Sequence, residues 1–218
     1  MKNYKVNLID KTIAKKLIVE NHYTHKWSSC RYSFGLILNN KIVGVAIYGF
    51  PVGRQVVKSI SNILENKDVL ELTRLWVNDS EGKNTESWFI GQTFKWLRHN
   101  TNIKVLISYS DPLFNHVGYI YQSLNFLYQG NNTMLVKGFI HQINGENLHP
   151  RSCVQKYGTV KIKELIKIDP EYERIPMKKK HRYIYILTRN KKEKKQILKT
   201  LKHKILPYPK NNLNSDWV

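Results

Sequence analysis

Residues 32–49 contain the feature that most constrains the fold, two apolar strand-forming segments joined by Asn39 and Asn40. The segments read YSFGLIL and KIVGVAIYG, and they are rich in the β-branched and aromatic residues that favour strands. Asparagine tolerates the positive φ angles that a tight turn requires. The pattern therefore predicts an antiparallel hairpin.

Strand-like and helix-like segments alternate around this hairpin. YKVNLID predicts a strand, and the apolar spacing after Asp10, a candidate N-cap, predicts a helix. LELTRLWV predicts a central strand, followed by a long helix with Thr85 as its N-cap. KVLISYS and HVGYIYQSLNF predict a further strand and a further helix, with Tyr121, Leu124 and Phe126 facing the core. The predicted order is β-α-β-β-β-α-β-α, followed by more strands.

Shorter signals follow residue 130. Asn144-Gly145 predicts a second hairpin, RSCVQKYG a short helix ending at Gly158, KIDPEYERIPMKKK a loop and YIYIL a strand. KKEKKQILKTLKHKIL predicts a basic amphipathic helix. We therefore expect one domain over residues 1–190, with residues 134–150 as a hairpin insertion, and a basic helix with a flexible tail over residues 191–218.

Positive charge is the strongest signal in the composition. The chain has 36 Lys and Arg against 16 Asp and Glu, a net charge of +20 and a pI near 9.9. Residues 178–210 contain 13 of the basic residues and one acid, Glu193. A polyanion relieves such self-repulsion, so we predict double-stranded DNA as partner. The alternatives are a solvated basic surface, and an AT-rich genome that favours Lys codons, although Glu has not risen in parallel.

Cysteine content and hydropathy restrict the cellular setting. The two cysteines, Cys30 and Cys153, are far apart and in no metal-binding spacing, which fits a reducing compartment. No segment approaches the roughly 20 apolar residues that span a bilayer. We expect a cytoplasmic protein without membrane contact.

The order of elements resembles the GNAT superfamily of CoA-dependent acyltransferases. IYQSLNF resembles the superfamily's LYxxxGF motif, whose tyrosine is a general acid beside the donor sulfur, and this implies that role for Tyr121. The resemblance implies an α/β (α+β) fold with a mixed, mostly antiparallel sheet, splayed strands four and five, and flanking helices; the basic segment would form a C-terminal extension. The chain departs from the superfamily in one segment, where NDSEGKNTES replaces the Gly-rich pyrophosphate loop.

Three longer segments indicate a narrower family. NTESWFIGQTFKWLRHN, SYSDPLFNHVGYIYQSLNFLYQG and LHPRSCVQKYG resemble the Mom proteins, phage enzymes that modify adenine in DNA and protect it from restriction. The resemblance covers about residues 20–190, and it implies a protein of the host cytoplasm if the chain is phage encoded. It implies DNA as substrate, a carbamoylmethyl group added to the exocyclic amine of adenine, a small-molecule group donor that can be of the acyl-CoA type, and a metal ion such as iron.

Catalytic roles are predicted at the strand and helix ends. Asp111 is the expected general base or metal ligand, with helix capping as its alternative, and Tyr121 is the expected proton donor, with core packing as its alternative. Ser108 and Tyr109 share the same strand end as Asp111, and packing is an equal alternative for both. His22 is a second candidate base.

Binding roles are predicted from charge and position. Candidate metal ligands are His22, Asp111 and His116. Candidate donor-binding residues are those at the start of the long helix and one strand arginine: Asn84, Thr85, Ser87 and Arg74. Candidate DNA contacts are the aromatic and basic residues Tyr23, Trp27, Arg54, His149, Arg151, Lys178, Lys179, Lys180 and Arg182.

Two other functions fit the same pattern. One is an acetyltransferase that modifies an amine of protein or RNA, against which the missing Gly-rich loop argues. The other is a non-catalytic DNA-binding protein on the same scaffold, because a fold alone does not fix function. Nothing in the sequence identifies the donor, the DNA context or the oligomeric state.

Overall fold

The computed structural model describes residues 2–112, 116–131, 137–176 and 179–210. It divides the chain into two compact units: residues 1–109, 118–130 and 182–218 form the first, and residues 110–117 and 131–181 form the second. The elements, in chain order, are β1 (Lys5–Leu8), α1 (Lys11–Asn21), β2 (Tyr32–Leu38), β3 (Lys41–Gly49), α2 (Arg54–Ile60), β4 (Val69–Val77), α3 (Thr85–Asn100), β5 (Val105–Ser110), α4 (Tyr119–Ser123), β6 (Leu127–Tyr128), β7 (Lys137–His141), β8 (Asn147–Leu148), α5 (Pro150–Tyr157), α6 (Ile162–Ile168), β9 (Tyr172–Pro176), β10 (His181–Ile186) and α7 (Lys191–Lys199).

A seven-stranded sheet in the order β1-β2-β3-β4-β5-β10-β6 forms the first unit. β1 to β4 pair antiparallel, β4 and β5 pair in parallel, and β10 and β6 pair antiparallel. The parallel pairing of β4 and β5 stops at Glu71 and Ile107, after which the two strands separate. The predicted fold class, a mixed and mostly antiparallel sheet with splayed fourth and fifth strands, is confirmed.

Each face of this sheet is covered by helices. On one face, α3 contributes Phe89, Phe94 and Leu97 to a core that includes Phe126. On the other face, α1 packs through Ala14 and Ile18 against β3, and α2 and α7 complete a second cluster with Val57, Val69, Ile107 and Ile197. Alternating strand residues serve the two cores, which is why β3, β4 and β5 are apolar on both faces.

Local sequence explains the predicted elements. Asn39 and Asn40 adopt φ angles of 48° and 60°, which confirms the β2–β3 hairpin. Asp10 caps α1 by accepting a hydrogen bond from the backbone N–H of Thr12 at 2.7 Å. The predicted N-cap of α3 is off by one residue, because Asn84 is the cap and Thr85 begins the helix. α4 is shorter than predicted, although Tyr121, Leu124 and Phe126 do pack on the core.

The second unit is larger than the hairpin predicted over residues 134–150. It contains a three-stranded sheet in the order β8-β7-β9, with α5 and α6 packed on it through Phe139, Leu148, Cys153, Leu165 and Tyr172. The predicted hairpin is confirmed by the antiparallel β7–β8 pair and by Gly145 at a φ of 69°. The loop predicted across KIDPEYERIPMKKK is wrong, because β9 lies within it, and α6 was not predicted.

α7 belongs to the first unit. Its Ile197 is fully buried in the cluster that includes Val57 and Ile107. The helix ends at Lys199 rather than continuing to residue 206. No helix in the described ranges is both long and apolar enough to cross a membrane.

We expect Ile197→Ala to lower the free energy of unfolding by about 2–4 kcal/mol, because it deletes buried methyl groups and leaves a cavity. The matched control is Leu198→Ala on the same helix turn, where the side chain is 38% exposed, and we expect a change below about 1 kcal/mol. Urea unfolding of the full chain measures both. Equal effects would contradict the docking of α7.

The segment after α7 runs along the edge of the main sheet. The backbone N–H of Leu206 donates to the carbonyl of Tyr128 at 2.9 Å, and the hydroxyl of Tyr208 donates to the carbonyl of Phe126 at 2.8 Å. Residues 206–208 therefore lie along the open edge beside β6, whereas Leu201 bridges to Ser61 after α2. The rest of the predicted flexible tail, residues 211–218, lies outside the described residues.

Candidate active site

The gap between β4 and β5 is the centre of the candidate site. The strands are paired only from Val69 to Glu71 on β4 and from Val105 to Ile107 on β5. Ser108 lies just beyond the paired stretch, and its hydroxyl donates to the carbonyl of Leu72 at 3.0 Å. This bond satisfies a carbonyl at the start of the splay, so the gap can open without an orphaned backbone group there.

Ser108 and Tyr121 lie on the α3 face of this gap. The hydroxyl of Tyr121 hydrogen bonds with Ser108, and its ring packs against Phe126 and Tyr183, with centroid separations of 5.3 and 5.2 Å. Burial raises the pKa of Tyr121 to about 12, although the bond to Ser108 acts in the opposite direction. Tyr121 is therefore protonated at neutral pH and able to donate a proton.

A glycine fixes the position of the Tyr121 ring. Gly118 precedes α4 with a φ of +80°, and a Cβ built on it would lie 2.6 Å from a ring carbon of Tyr183 and 3.0 Å from one of Tyr121. Both the backbone conformation and the close approach of the rings require glycine.

Glu71, Tyr109 and Arg182 lie on the opposite face, on the neighbouring strands β4, β5 and β10. Tyr109 packs against the apolar cluster formed with α2 and α7. Burial raises the pKa of Tyr109 to about 12; the positive charge of Arg182 opposes this shift and the negative charge of Glu71 adds to it. Glu71 also acts electrostatically on Tyr121. A carboxylate thus lies at the point where the strands separate, within electrostatic reach of both tyrosines.

The loop after α1 is fastened beside this carboxylate by Arg74. The guanidinium donates from Nε to the carbonyl of Lys26 at 2.9 Å and from Nη1 to the carbonyl of Thr73 at 2.6 Å. Burial lowers the pKa of Arg74, and the fields of Tyr23 and Glu71 oppose that shift. Arg74 thus holds the loop in place, and this contact accounts for an arginine in a central strand.

The loop carries His22 and Tyr23, whose rings stack at 4.3 Å. His22 is buried, and its Nδ1 accepts a hydrogen bond from the backbone N–H of Thr24 at 3.1 Å. The same Nδ1 lies 2.8 Å from the hydroxyl of Thr24, and a role for His22 as base stays a prediction. Tyr23 is 45% exposed and offers a stacking surface. Trp27 is partly buried and packs on the α1 core, and its stacking on a base stays a prediction.

The start of α3 borders a cavity of about 300 Å³. The hydroxyl of Thr85 donates to the carbonyl of Glu81 at 3.0 Å, and that of Ser87 donates to the carbonyl of Asn84 at 3.0 Å. These contacts shape the helix start, and donor binding by Asn84, Thr85 and Ser87 stays a prediction. The cavity is lined by Tyr4, Lys83, Asn84, Thr85, Ser87, Trp88, Ser123 and Leu124.

The chain matches a known protein family over most of its length. The sequence profile of the Mom protein family matches residues 3–210. The chain belongs to the Mom protein family. A curated relative, the methylcarbamoylase Mom of Escherichia phage Mu, is 25% identical over 96% of this chain and 85% of its own length.

Solved acetyltransferases are among the structures to which this Mom-family protein is similar. One is the ribosomal-protein-S18-alanine N-acetyltransferase of Escherichia coli, at 10% identity and a TM-score of 0.49 over 86% of this chain and 96% of that chain. Another is an N-acetyltransferase of Staphylococcus aureus Mu50, at 16% identity and a TM-score of 0.44 over 84% and 97%.

The candidate metal ligands belong to different units, because His22 lies in the first unit and Asp111 and His116 lie in the second. Among the described residues, no three His, Cys, Asp or Glu side chains are grouped so that they could hold a metal ion. Iron binding by His22, Asp111 and His116 stays a prediction. In the second unit, Asp111 forms an ion pair with Lys180, with Oδ2 and Nζ 2.9 Å apart. Its role as a base stays a prediction.

The predicted DNA contacts of this Mom-family chain differ in their exposure to solvent. Lys179 and Lys180 are exposed, whereas Arg182 is only 3% exposed, and its contact with DNA stays a prediction. His149 is half-buried at the start of α5, where its carbonyl accepts from the backbone N–H of Cys153. Lys178 and the side chains of Arg54 and Arg151 lie outside the described part.

Glu71 is the principal residue of the candidate site that the sequence analysis did not identify. The signal was present: an acid between two leucines in LELTRLWV interrupts an otherwise apolar central strand. A charge in that position requires a partner or a function.

Proposed function

We propose that the protein transfers a carbamoylmethyl group to the exocyclic amine of adenine in double-stranded DNA. The observation that carries the proposal is the strand gap of a Mom-family chain, with a proton donor, Tyr121, on one face and a carboxylate, Glu71, on the other. The name of the phage Mu relative, methylcarbamoylase, supports a group of the same composition.

Glu71 would act on the acceptor. The exocyclic amine of adenine is conjugated to the ring and is a poor nucleophile, so it must be oriented and relieved of a proton. Glu71 lies where the gap opens, and Tyr23 beside it can stack on a base extruded from the duplex. His22, whose Nδ1 already accepts a hydrogen bond, would orient the base through Nε2.

Tyr121 would act on the donor. The adenine nitrogen forms a bond to the methylene carbon of the transferred group, the bond from that carbon to the leaving group breaks, and the electron pair departs with the leaving group. Tyr121 gives its proton to that group, while the proton of the amine passes to Glu71. The cavity at the start of α3 is a candidate donor site. A thioester attacked at its carbonyl would give an amide instead, so an acyl-CoA-type donor predicts a different linkage.

The exposed lysines of α7 would bind the phosphodiester backbone. The polar side of this helix is basic and its sole acid, Glu193, is paired with Lys104 and hydrogen bonded to Thr188. The charge available to DNA from this helix is therefore nearly all positive. Such contacts fix register and contribute affinity that falls steeply with salt.

Mass spectrometry of nucleosides tests the reaction. DNA from cells that express the protein should contain an adenosine that carries one carbamoylmethyl group. Fragmentation must separate this product from aminoacetyl adenosine, its isomer, which a thioester donor carrying glycine would give. Unmodified DNA from well-expressed protein would contradict the proposal. Acetylation of protein or RNA, or salt-sensitive DNA binding that is indifferent to Glu71 and Tyr121, would then favour the two alternative functions.

Glu71→Gln should lower the yield of modified adenosine by about 100-fold or more, because the amide keeps the shape of the side chain but cannot accept the proton. The matched control is Glu65→Gln, which removes an exposed ion pair with Lys67 and should leave the yield unchanged. The same comparison applied to Asp111→Asn decides between the two candidate bases. Full activity of Glu71→Gln would exclude Glu71 as the base.

A further inference from the structure

Arg182 is a buried arginine whose guanidinium is incompletely bonded. The residue lies on β10 and is 3% exposed, and neither its Nε nor its Nη2 has a hydrogen-bond partner among the described residues. Burying an arginine charge is costly unless acceptors replace the lost water. Such a group therefore indicates an acceptor that the described protein atoms do not supply.

The two unbonded atoms form one edge of the guanidinium plane. Their N–H bonds are parallel, and this edge binds both oxygens of a carboxylate, or two oxygens of a phosphate, at once. A water molecule satisfies one of the two donors, whereas an oxyanion satisfies both and also neutralises the charge.

The neighbours of Arg182 form a defined environment. The carbonyl of Lys104 accepts from the backbone N–H of Leu187, and this register places Tyr109 of β5 beside Arg182. On the other side, Gln129 is fully buried and its side-chain amide donates to the carbonyl of His203 at 3.3 Å. Burial, and then the charge of Arg182, lowers the pKa of the half-buried His203.

We propose that Arg182 anchors an oxyanion, bound side-on through Nε and Nη2, with the hydroxyl of Tyr109 as a further donor. The oxyanion is a carboxylate or phosphate of the small-molecule donor, or a phosphate of the DNA strand. The inference concerns binding, and it holds whether or not the proposed reaction is correct.

Arg98 on α3 provides a matched comparison. Its Nε donates to the carbonyl of Leu187 at 3.1 Å, and its Nη2 donates to the hydroxyl of Tyr185 at 2.6 Å. The same two atoms that lack partners in Arg182 are thus both bonded in Arg98. Replacing each arginine with methionine, which has similar bulk and no charge, therefore has opposite consequences.

The first experiment is thermal unfolding of the full chain in chloride buffer. Arg182→Met should melt at the wild-type temperature or above it, by about 2 °C or more, because it removes an uncompensated buried charge. Arg98→Met should melt lower, because it leaves two acceptors unbonded. If Arg182→Met melts as low as Arg98→Met, a fixed protein partner holds Arg182 and the proposal is overturned.

The second experiment identifies the occupant by NMR of the arginine Nε–H signals. The signal absent from Arg182→Met is followed while sodium acetate, inorganic phosphate or a short DNA duplex is added at constant ionic strength. A saturable shift with acetate or phosphate alone indicates the donor, and a shift with the duplex alone indicates the DNA strand. Either result supports the oxyanion site. No saturable shift with any of the three probes overturns it.

Discussion

Replacing Tyr121 with phenylalanine is expected to lower the rate of adenine modification by about 100-fold or more, the usual effect of removing a positioned proton donor. The ring contacts with Phe126 and Tyr183 remain, so the fold should persist. Only the hydroxyl, which hydrogen bonds with Ser108, is lost. Single-turnover nucleoside analysis with purified protein and DNA, in an extract that supplies the donor, measures the change.

The control for this variant is Tyr119→Phe on the same short helix. Tyr119 is 57% exposed, and removing its hydroxyl should leave the rate unchanged. Ser108→Ala should give an intermediate loss, because the bond to Ser108 acts to lower the pKa of Tyr121 and its removal makes proton donation harder. A Tyr121→Phe protein that is folded and fully active would assign Tyr121 to the core alone.

Replacing Gly49 with alanine is expected to lower the free energy of unfolding by more than about 4 kcal/mol, or to prevent folding. Gly49 ends β3, opposite Glu71 on β4, and an added Cβ would overlap the backbone carbonyl of Ser29. Backbone atoms yield less readily than the end of a flexible side chain. Because Ser29 follows His22 and Tyr23 in the same loop, any accommodation displaces the loop beside Glu71. Urea unfolding and nucleoside analysis measure both effects.

Gly91→Ala is the matched control for this variant. Gly91 lies inside α3, and a Cβ built on it meets no atom within 4 Å. Alanine should therefore raise the free energy of unfolding by about 0.5–1 kcal/mol, because it favours the helix more than glycine does. If the two alanine variants had equal stability, close packing at Gly49 would not be the cause of the loss.

The main sheet could be predicted because its local signals agree with one another. Asn39 and Asn40 specify the first hairpin, and the apolar strands from β2 to β5 are long enough to be recognised. The second unit could not be predicted as fully, because β8 has only two residues and β9 is polar on its exposed side. Short strands acquire their structure from tertiary pairing, which a single sequence does not display.

The candidate site was predicted in part, for the same physical reason. Tyr121, Ser108 and Tyr109 follow recognisable strand and helix ends, and the structure brings them to the strand gap. Glu71 and the burial of Arg182 depend on which strands become neighbours in space. The order β4-β5-β10 joins residues from distant parts of the chain, and the local pattern around each residue does not reveal that arrangement.

Residues 131–181 form most of the second unit, and the residues that flank this segment, Gly130 and Arg182, are hydrogen bonded to each other on the main sheet. The backbone N–H of Arg182 donates to the carbonyl of Gly130 at 3.0 Å, and that of Gln129 donates to the carbonyl of Arg182 at 2.9 Å. Because Gly130 and Arg182 are adjacent in space, residues 131–181 form an insertion between the paired strands β6 and β10. A short turn could replace this insertion without moving β6 or β10. Insertions of other lengths could occupy the same place in related proteins.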